Sequence, residues 1–134
     1  MTPSVADFIS ISERDLEDAR AVLAANVPHQ AGRLAYYSML HASQALVLEQ
    51  SNRRSKTHKG AIKLFSEVAP SVAGLDQNLA ATLSSAYKLK TLADYETGAV
   101  AVLTTEGARK AIADADSFLA QIRAVLNVAP PSGT

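Results

Sequence analysis

Arg33, Tyr37 and His41 stand four residues apart, a spacing that lines a guanidinium, a phenol and an imidazole along one face of a helix. Ala45 continues the row and Leu34, Leu46 and Leu48 flank it, so three polar groups lie inside the densest apolar and aromatic run of the chain. Two readings are open. In one, Arg33 makes a partly buried ion pair while Tyr37 and His41 are satisfied core groups, because buried charges must be paired and buried polar groups bonded. In the other, the three form a small polar site in or beside a helical core, with His41 able to titrate near neutrality. A matching segment lies further on, Lys88-Leu89-Lys90-Thr91-Leu92-Ala93-Asp94-Tyr95. Lys90 and Asp94 are one helical turn apart, and Asp94 is the acid available to Arg33 if the two helices pack together. Removing Asp94 would then cost a few kcal/mol by leaving Arg33 buried and unpaired.

A second cluster is basic: Arg53, Arg54, Lys56, His58 and Lys59, continued by Lys63. It reads either as a solvated connection or as a phosphate-contacting patch, to which a helix starting after Thr57 would add free backbone N–H groups. His58 is the group in this segment able to move a proton, and four residues separate it from Arg53. Other chemistries find no support. Three histidines without ligand spacing give no metal site, and the absence of cysteine removes thiolate sites, disulfides and cysteine nucleophiles. No phosphate-cradling glycine loop or serine elbow occurs, and no cofactor is expected.

The elements that must position these groups are helices. Alanine is abundant and alternating apolar-polar stretches are nearly absent. Ser4-Val5-Ala6-Asp7 and Ser12-Glu13-Arg14-Asp15 both look like capping boxes, so a first helix begins near residue 4 or 12 and runs to about Ala25. Asn26-Val27-Pro28 breaks it, and a second helix runs to about Gln50. Thr57 caps a short third helix to about Val68, ended by Pro70 and Gly74. Asp76 is positioned to cap a fourth helix ending near Tyr95, and Thr104 or Thr105 caps the last, with Glu106 favourable in its first turn. These spacings predict an all-α protein, an up-and-down antiparallel four-helix bundle with one additional short helix. Val100, Val102 and Leu103, before the last helix, are expected either to serve an interface or to fold back over the bundle end.

At 134 residues, 48% apolar and 19% charged, the chain is expected to be one globular domain over 1–134, with its core at about 4–127 and a flexible tail at 128–134. The formal net charge is zero, so any case for nucleic acid rests on the local basic patch. Neither a secretory leader nor an apolar run of about 18 residues is visible, and the expected location is cytoplasmic, with no membrane association.

Three motifs together, Arg33-Leu34-Ala35-Tyr36-Tyr37-Ser38-Met39-Leu40-His41-Ala42, Thr57-His58-Lys59-Gly60 and Lys90-Thr91-Leu92-Ala93-Asp94-Tyr95, closely resemble a HEPN domain of the short, stand-alone prokaryotic branch. The match in order and spacing covers roughly residues 14 to 126. The resemblance implies a helical bundle, usually dimeric, commonly encoded beside a minimal nucleotidyltransferase in toxin–antitoxin-like pairs. Many relatives are metal-independent ribonucleases that use an arginine and a histidine near the end of the late helix. Here Lys90 stands where the branch usually has arginine, and Asp94-Tyr95 take the place of the histidine. A lysine lacks the arginine fork and an aspartate repels phosphate. The leading expectation is therefore a module that binds a partner protein, a nucleotide or RNA, with Arg33, Tyr37, His41, Arg53, Arg54, Lys56, His58, Lys59 and Lys90 as ligand-binding candidates. Arg33, Asp94 and Tyr95 are the expected structural ion-pair set. The alternatives are an RNase toxin with His41 or His58 transferring protons, and a structural helical adaptor.

Overall fold

The computed structural model describes residues 2–95 and 103–128, without the side chains of residues 92, 93 and 95. Among the described residues the elements are α1 (Val5–Ala24), α2 (Pro28–Ser51), α3 (His58–Val68), α4 (Leu79–Tyr95) and α5 (Thr105–Leu126), with a 3-10 turn at Ala69–Ser71. The fold is the expected all-α bundle of four long helices and one short one. Residues 129–134 of the expected tail, and Val100 and Val102, lie outside the described residues.

Most helix boundaries have the chemistry the sequence advertises. Ser4 opens α1 as a reciprocal capping box: its hydroxyl accepts from the Asp7 N–H at 3.1 Å, and Asp7 accepts from the Ser4 N–H at 2.8 Å. The second capping-box candidate, Ser12, is no cap. It lies mid-helix and fully buried, because Val5, Phe8, Ile9, Leu16 and Ala19 carry the apolar stripe straight through it. Its hydroxyl instead donates to the Ser38 carbonyl of α2 at 2.6 Å, while the Ser38 hydroxyl donates to the Ser12 carbonyl at 2.9 Å.

Asn26, Asn52 and Asn127 hold left-handed backbone at the ends of α1, α2 and α5, a conformation asparagine tolerates better than most residues. Thr57 and Thr104 cap α3 and α5, accepting from the N–H groups of Gly60 and Gly107 at 2.9 Å each. Asp76 departs from expectation. Its carboxylate accepts from the Asn78 N–H at 2.8 Å in a local turn, and its own N–H donates to Gln121 of α5 at 2.8 Å. With that carboxylate occupied, α4 starts three residues later at Leu79.

α2 is the central element and packs against the other four helices. Ala35, Tyr36, Met39, Leu40, Ala42, Ala45, Leu46 and Val47 are buried around most of its circumference, as expected of a helix enclosed by neighbours. Phe8, Ile9 and Leu16 of α1, Phe65 of α3, Leu83 of α4, and Phe118, Leu119 and Ile122 of α5 complete the core. By contrast, α4 and α5 barely meet. Leu103 folds back over this end of the bundle, seated where Gly32 of α2 and Gly107 of α5 leave room for it: a Cβ at those positions would stand 2.1 and 2.8 Å from its methyl groups.

Candidate functional site

Arg33 and Tyr37 of the polar row on α2 meet α4, whereas His41 does not. Arg33 lies 5.8 Å and Lys90 5.7 Å from the centre of the Tyr37 ring, so two cations share one aromatic face system. Asp94 joins them, 2.7 Å from the Lys90 ammonium and 3.4 Å from the Arg33 guanidinium. The bond from Lys90 holds Asp94 below the usual carboxylate range, with the Lys90 and Arg33 charges adding to it, and the same bond raises Lys90. One expectation needs correction. The Arg33 side chain is 43% exposed, so loss of Asp94 would leave it hydrated, and the large penalty of a stranded buried charge does not apply. The side chain of Tyr95 lies outside what is described.

His41 turns toward α1. Its ring stacks between Phe8 and Tyr37, with centroids 6.3 Å away on either side. Nδ1 lies 2.9 Å from Gln44 Oε1, while Nε2 faces the Asp15 carboxylate at 3.6 Å. Burial raises the Asp15 carboxyl above its ordinary value, and His41 and Arg14 act against that rise. Sequence reasoning missed Asp15. Its signal was an acid immediately before Leu16 on the buried stripe of α1.

His58 was read with the basic segment, yet its ring turns inward. Nδ1 is 2.9 Å from the Tyr36 hydroxyl, and the rings of Tyr36, Tyr37 and Tyr87 surround it at 5.6–6.0 Å. Tyr36 and Tyr87 were also missed. Tyr36 sits one residue off the four-residue row and therefore faces α3 rather than solvent. Burial raises the Tyr36 phenol, keeping it protonated, and burial lowers the His58 imidazole, with the nearby Lys90 and His41 charges adding to the fall.

This anchoring also accounts for the Thr57-His58-Lys59-Gly60 turn. Ser55 Oγ accepts from the Thr57 N–H at 3.2 Å and folds over the helix start, where a Cβ on Gly60 would stand 2.0 Å from it. Gly60 serves the space requirement of this cap, and His58 pins the cap to the bundle.

A pH dependence follows for His58. The unfolded imidazole takes its proton near its ordinary pKa of about 6.5, whereas the native one, lowered by burial, takes it at lower pH. Between those values the unfolded state binds more protons, so stability rises with pH and falls on acidification. Between pH 7.5 and 5.5 the urea midpoint should drop more for the native chain than for His58→Phe. Equal drops would place the His58 imidazole in water.

The remaining basic residues divide. Arg53 reaches back to Glu67 at 3.3 Å and so takes a different partner from His58. Arg54, Lys56, Lys59 and Lys63 are exposed, and among the described residues none of them pairs with a carboxylate. Thus Arg33, Tyr37, Lys90 and Asp94 converge, His41 and His58 are drawn into the aromatic core of the seam, and the other cations stay in solvent around the head of α3. Among the described residues no group of three or more His, Cys, Asp or Glu is placed to hold a metal, and no helix is long and apolar enough to cross a membrane.

Comparison with known proteins adds the following. The family model for the HEPN domain matches residues 5–125. A protein of Methanocaldococcus jannaschii named "Putative toxin MJ0605" is 29% identical over 119 residues, covering 89% of this chain and 86% of the relative. A "UPF0332 protein" of Archaeoglobus fulgidus is 30% identical over 116 residues, covering 87% of this chain and 90% of the relative. A further "UPF0332 protein" from Gloeobacter violaceus is 29% identical over 119 residues, covering 89% and 93%.

Proposed function

The chain belongs to the HEPN domain family, and from that premise we propose that this toxin-like module binds single-stranded RNA along the exposed cations at the head of α3. The supporting observation is the placement of Arg54, Lys56, Lys59 and Lys63. They surround a helix start fixed by Thr57 and anchored by His58, and no described carboxylate neutralises them. Such cations hold phosphate without reading sequence, and the ordered helix start adds its own N–H groups. The Arg33–Lys90 pair is less suited to a polyanion, because the Asp94 carboxylate beside it, 2.7 Å from Lys90, would repel a run of phosphates.

Fluorescence anisotropy with a short single-stranded RNA across a salt series tests the reading. Each phosphate contact contributes about 0.7 to the slope of log K against log salt, so Arg54→Ala/Lys56→Ala/Lys59→Ala should lower the slope by about 2. An unchanged slope and affinity would place RNA elsewhere or nowhere.

One observation favours cleavage as a second reading: His58 is a neutral-leaning imidazole held at the edge of this same segment. RNA degradation that survives EDTA and disappears in His58→Ala would replace simple binding by a metal-independent nuclease. As in its branch, the module is expected to act with a minimal nucleotidyltransferase and as a homodimer in the cytoplasm. Co-purification from cells expressing both reading frames, and light scattering of the purified chain, check the partner and the dimer.

A further inference from the structure

The gap between α4 and α5, floored by α2, is a groove of about 540 Å³. That is within the range of roughly 300–1,000 Å³ typical of small-molecule sites, which are mostly apolar with a few convergent polar groups. Its walls are apolar over much of their length, through Met39, Ala86, Leu89, Leu103 and Ala111. Leu89, 57% exposed, stands at its rim. The charges are concentrated by position. Lys110 and Asp114 pair with each other at 2.8 Å on α5, whereas the end toward the α4 C-terminus gathers Arg33, Lys90, His29 and Asp94.

Among the described residues, two permanent cations at that end face one carboxylate. Asp94 serves Lys90 well at 2.7 Å but Arg33 only at 3.4 Å, so the guanidinium fork is not filled by its resident partner. An incoming carboxylate or phosphate could take both N–H directions of that fork. We propose that the α2–α4–α5 groove binds a small amphiphilic anion, its acidic head on Arg33 and Lys90 and its apolar body along Leu89, Ala86, Met39 and Ala111, with Asp94 as a built-in competitor for the head position. The site is separate from the basic segment, since none of Arg54, Lys56 and Lys59 lines it, and it stands whether or not RNA binds there.

Calorimetric titration of the full chain with decanoate and with decyl phosphate, each below its micelle concentration, tests the proposal and separates the two head chemistries. Decanol serves as the head-free probe, and adenosine monophosphate as an anion with a nucleoside in place of the alkyl body. Asp94→Asn removes the competing charge and should tighten at least one alkyl anion by about tenfold or more. Arg33→Gln and Leu89→Gln, both at exposed positions, should weaken that anion several-fold while leaving the helical circular dichroism unchanged. These two variants keep the test decisive if Asp94→Asn disturbs the end of α4. The proposal is overturned if neither alkyl anion binds, if the variants leave their affinity unchanged, if decanol binds as well as the anions, or if adenosine monophosphate binds in their place.

Discussion

Phe118→Ala should lower the unfolding free energy by about 4 kcal/mol, within the range of roughly 3–5 kcal/mol seen when a buried aromatic ring is emptied. The Phe118 side chain is fully buried, and its ring lies 5.3 Å from that of Phe65, tilted by 36°. Phe65 and Ala61 are the buried residues of α3, so this aromatic contact is much of what ties the short helix to the bundle. The loss should therefore be both global and local. Urea denaturation measures the first, and hydrogen exchange along His58–Val68 measures the second, with α3 amides exchanging faster than those of α1. Phe118→Leu should cost clearly less, because it leaves a smaller void. A loss for Phe118→Ala of under about 1 kcal/mol would mean that the site collapses freely and does not anchor α3.

Ser38→Leu is the second large effect. Ser12 and Ser38 lie face to face with no solvent exposure, hydroxyl oxygens 3.1 Å apart and each bonded to the other's backbone carbonyl. Their small size lets α1 approach α2 closely, and this pair of helices makes the most extensive contact in the fold. A leucine overfills the site, at about 1–3 kcal/mol. It also removes the hydroxyl that donates to the Ser12 carbonyl, a loss of about 0.5–1.5 kcal/mol for one hydrogen bond, while the Ser12 hydroxyl keeps its bond to the backbone carbonyl of residue 38. The sum is about 1.5–4.5 kcal/mol, read from denaturant midpoints. The informative control is Ser12→Ala/Ser38→Ala. With both hydroxyls gone little is stranded, and the double variant should lose much less than Ser38→Leu. If the leucine were tolerated, the α1–α2 contact would have slack that the buried hydrogen bonds argue against.

How far the sequence carried the fold and the site depends on which interactions are local. Caps at Ser4, Thr57 and Thr104 are three-residue patterns; Thr57 was legible outright, while Ser4 and Thr104 each had a rival, Ser12 and Thr105. The Lys90–Asp94 bond is one helical turn, and adding Arg33 required only that α2 and α4 pack. Legibility failed where the decisive partner comes from another helix. Ser12 and Asp15 share the letters of a capping box with Ser4 and Asp7. What separates the two is the apolar stripe running on through Ser12 and a serine 26 residues away. Likewise His58 sits among cations in the sequence, and only the register of α3 against α2 reveals that Tyr36 takes its ring. Asp76 misled for the opposite reason: a closer N–H, that of Asn78, took its carboxylate before any helix could. The exposure of Arg33 was illegible because it depends on how α4 and α5 splay, which no local pattern encodes.

The gathering of rings around His58 has a practical side. The chain has no tryptophan and four tyrosines, and three of these, Tyr36, Tyr37 and Tyr87, lie against the same imidazole. Its near-ultraviolet absorbance, fluorescence and circular dichroism are thus dominated by the junction of α2, α3 and α4, while the Phe65–Phe118 pair is nearly dark. A tyrosine signal works here as a local gauge of that junction, and the amide signal as the gauge of the whole bundle. Divergence between the two during unfolding would reveal α3 letting go before the long helices melt.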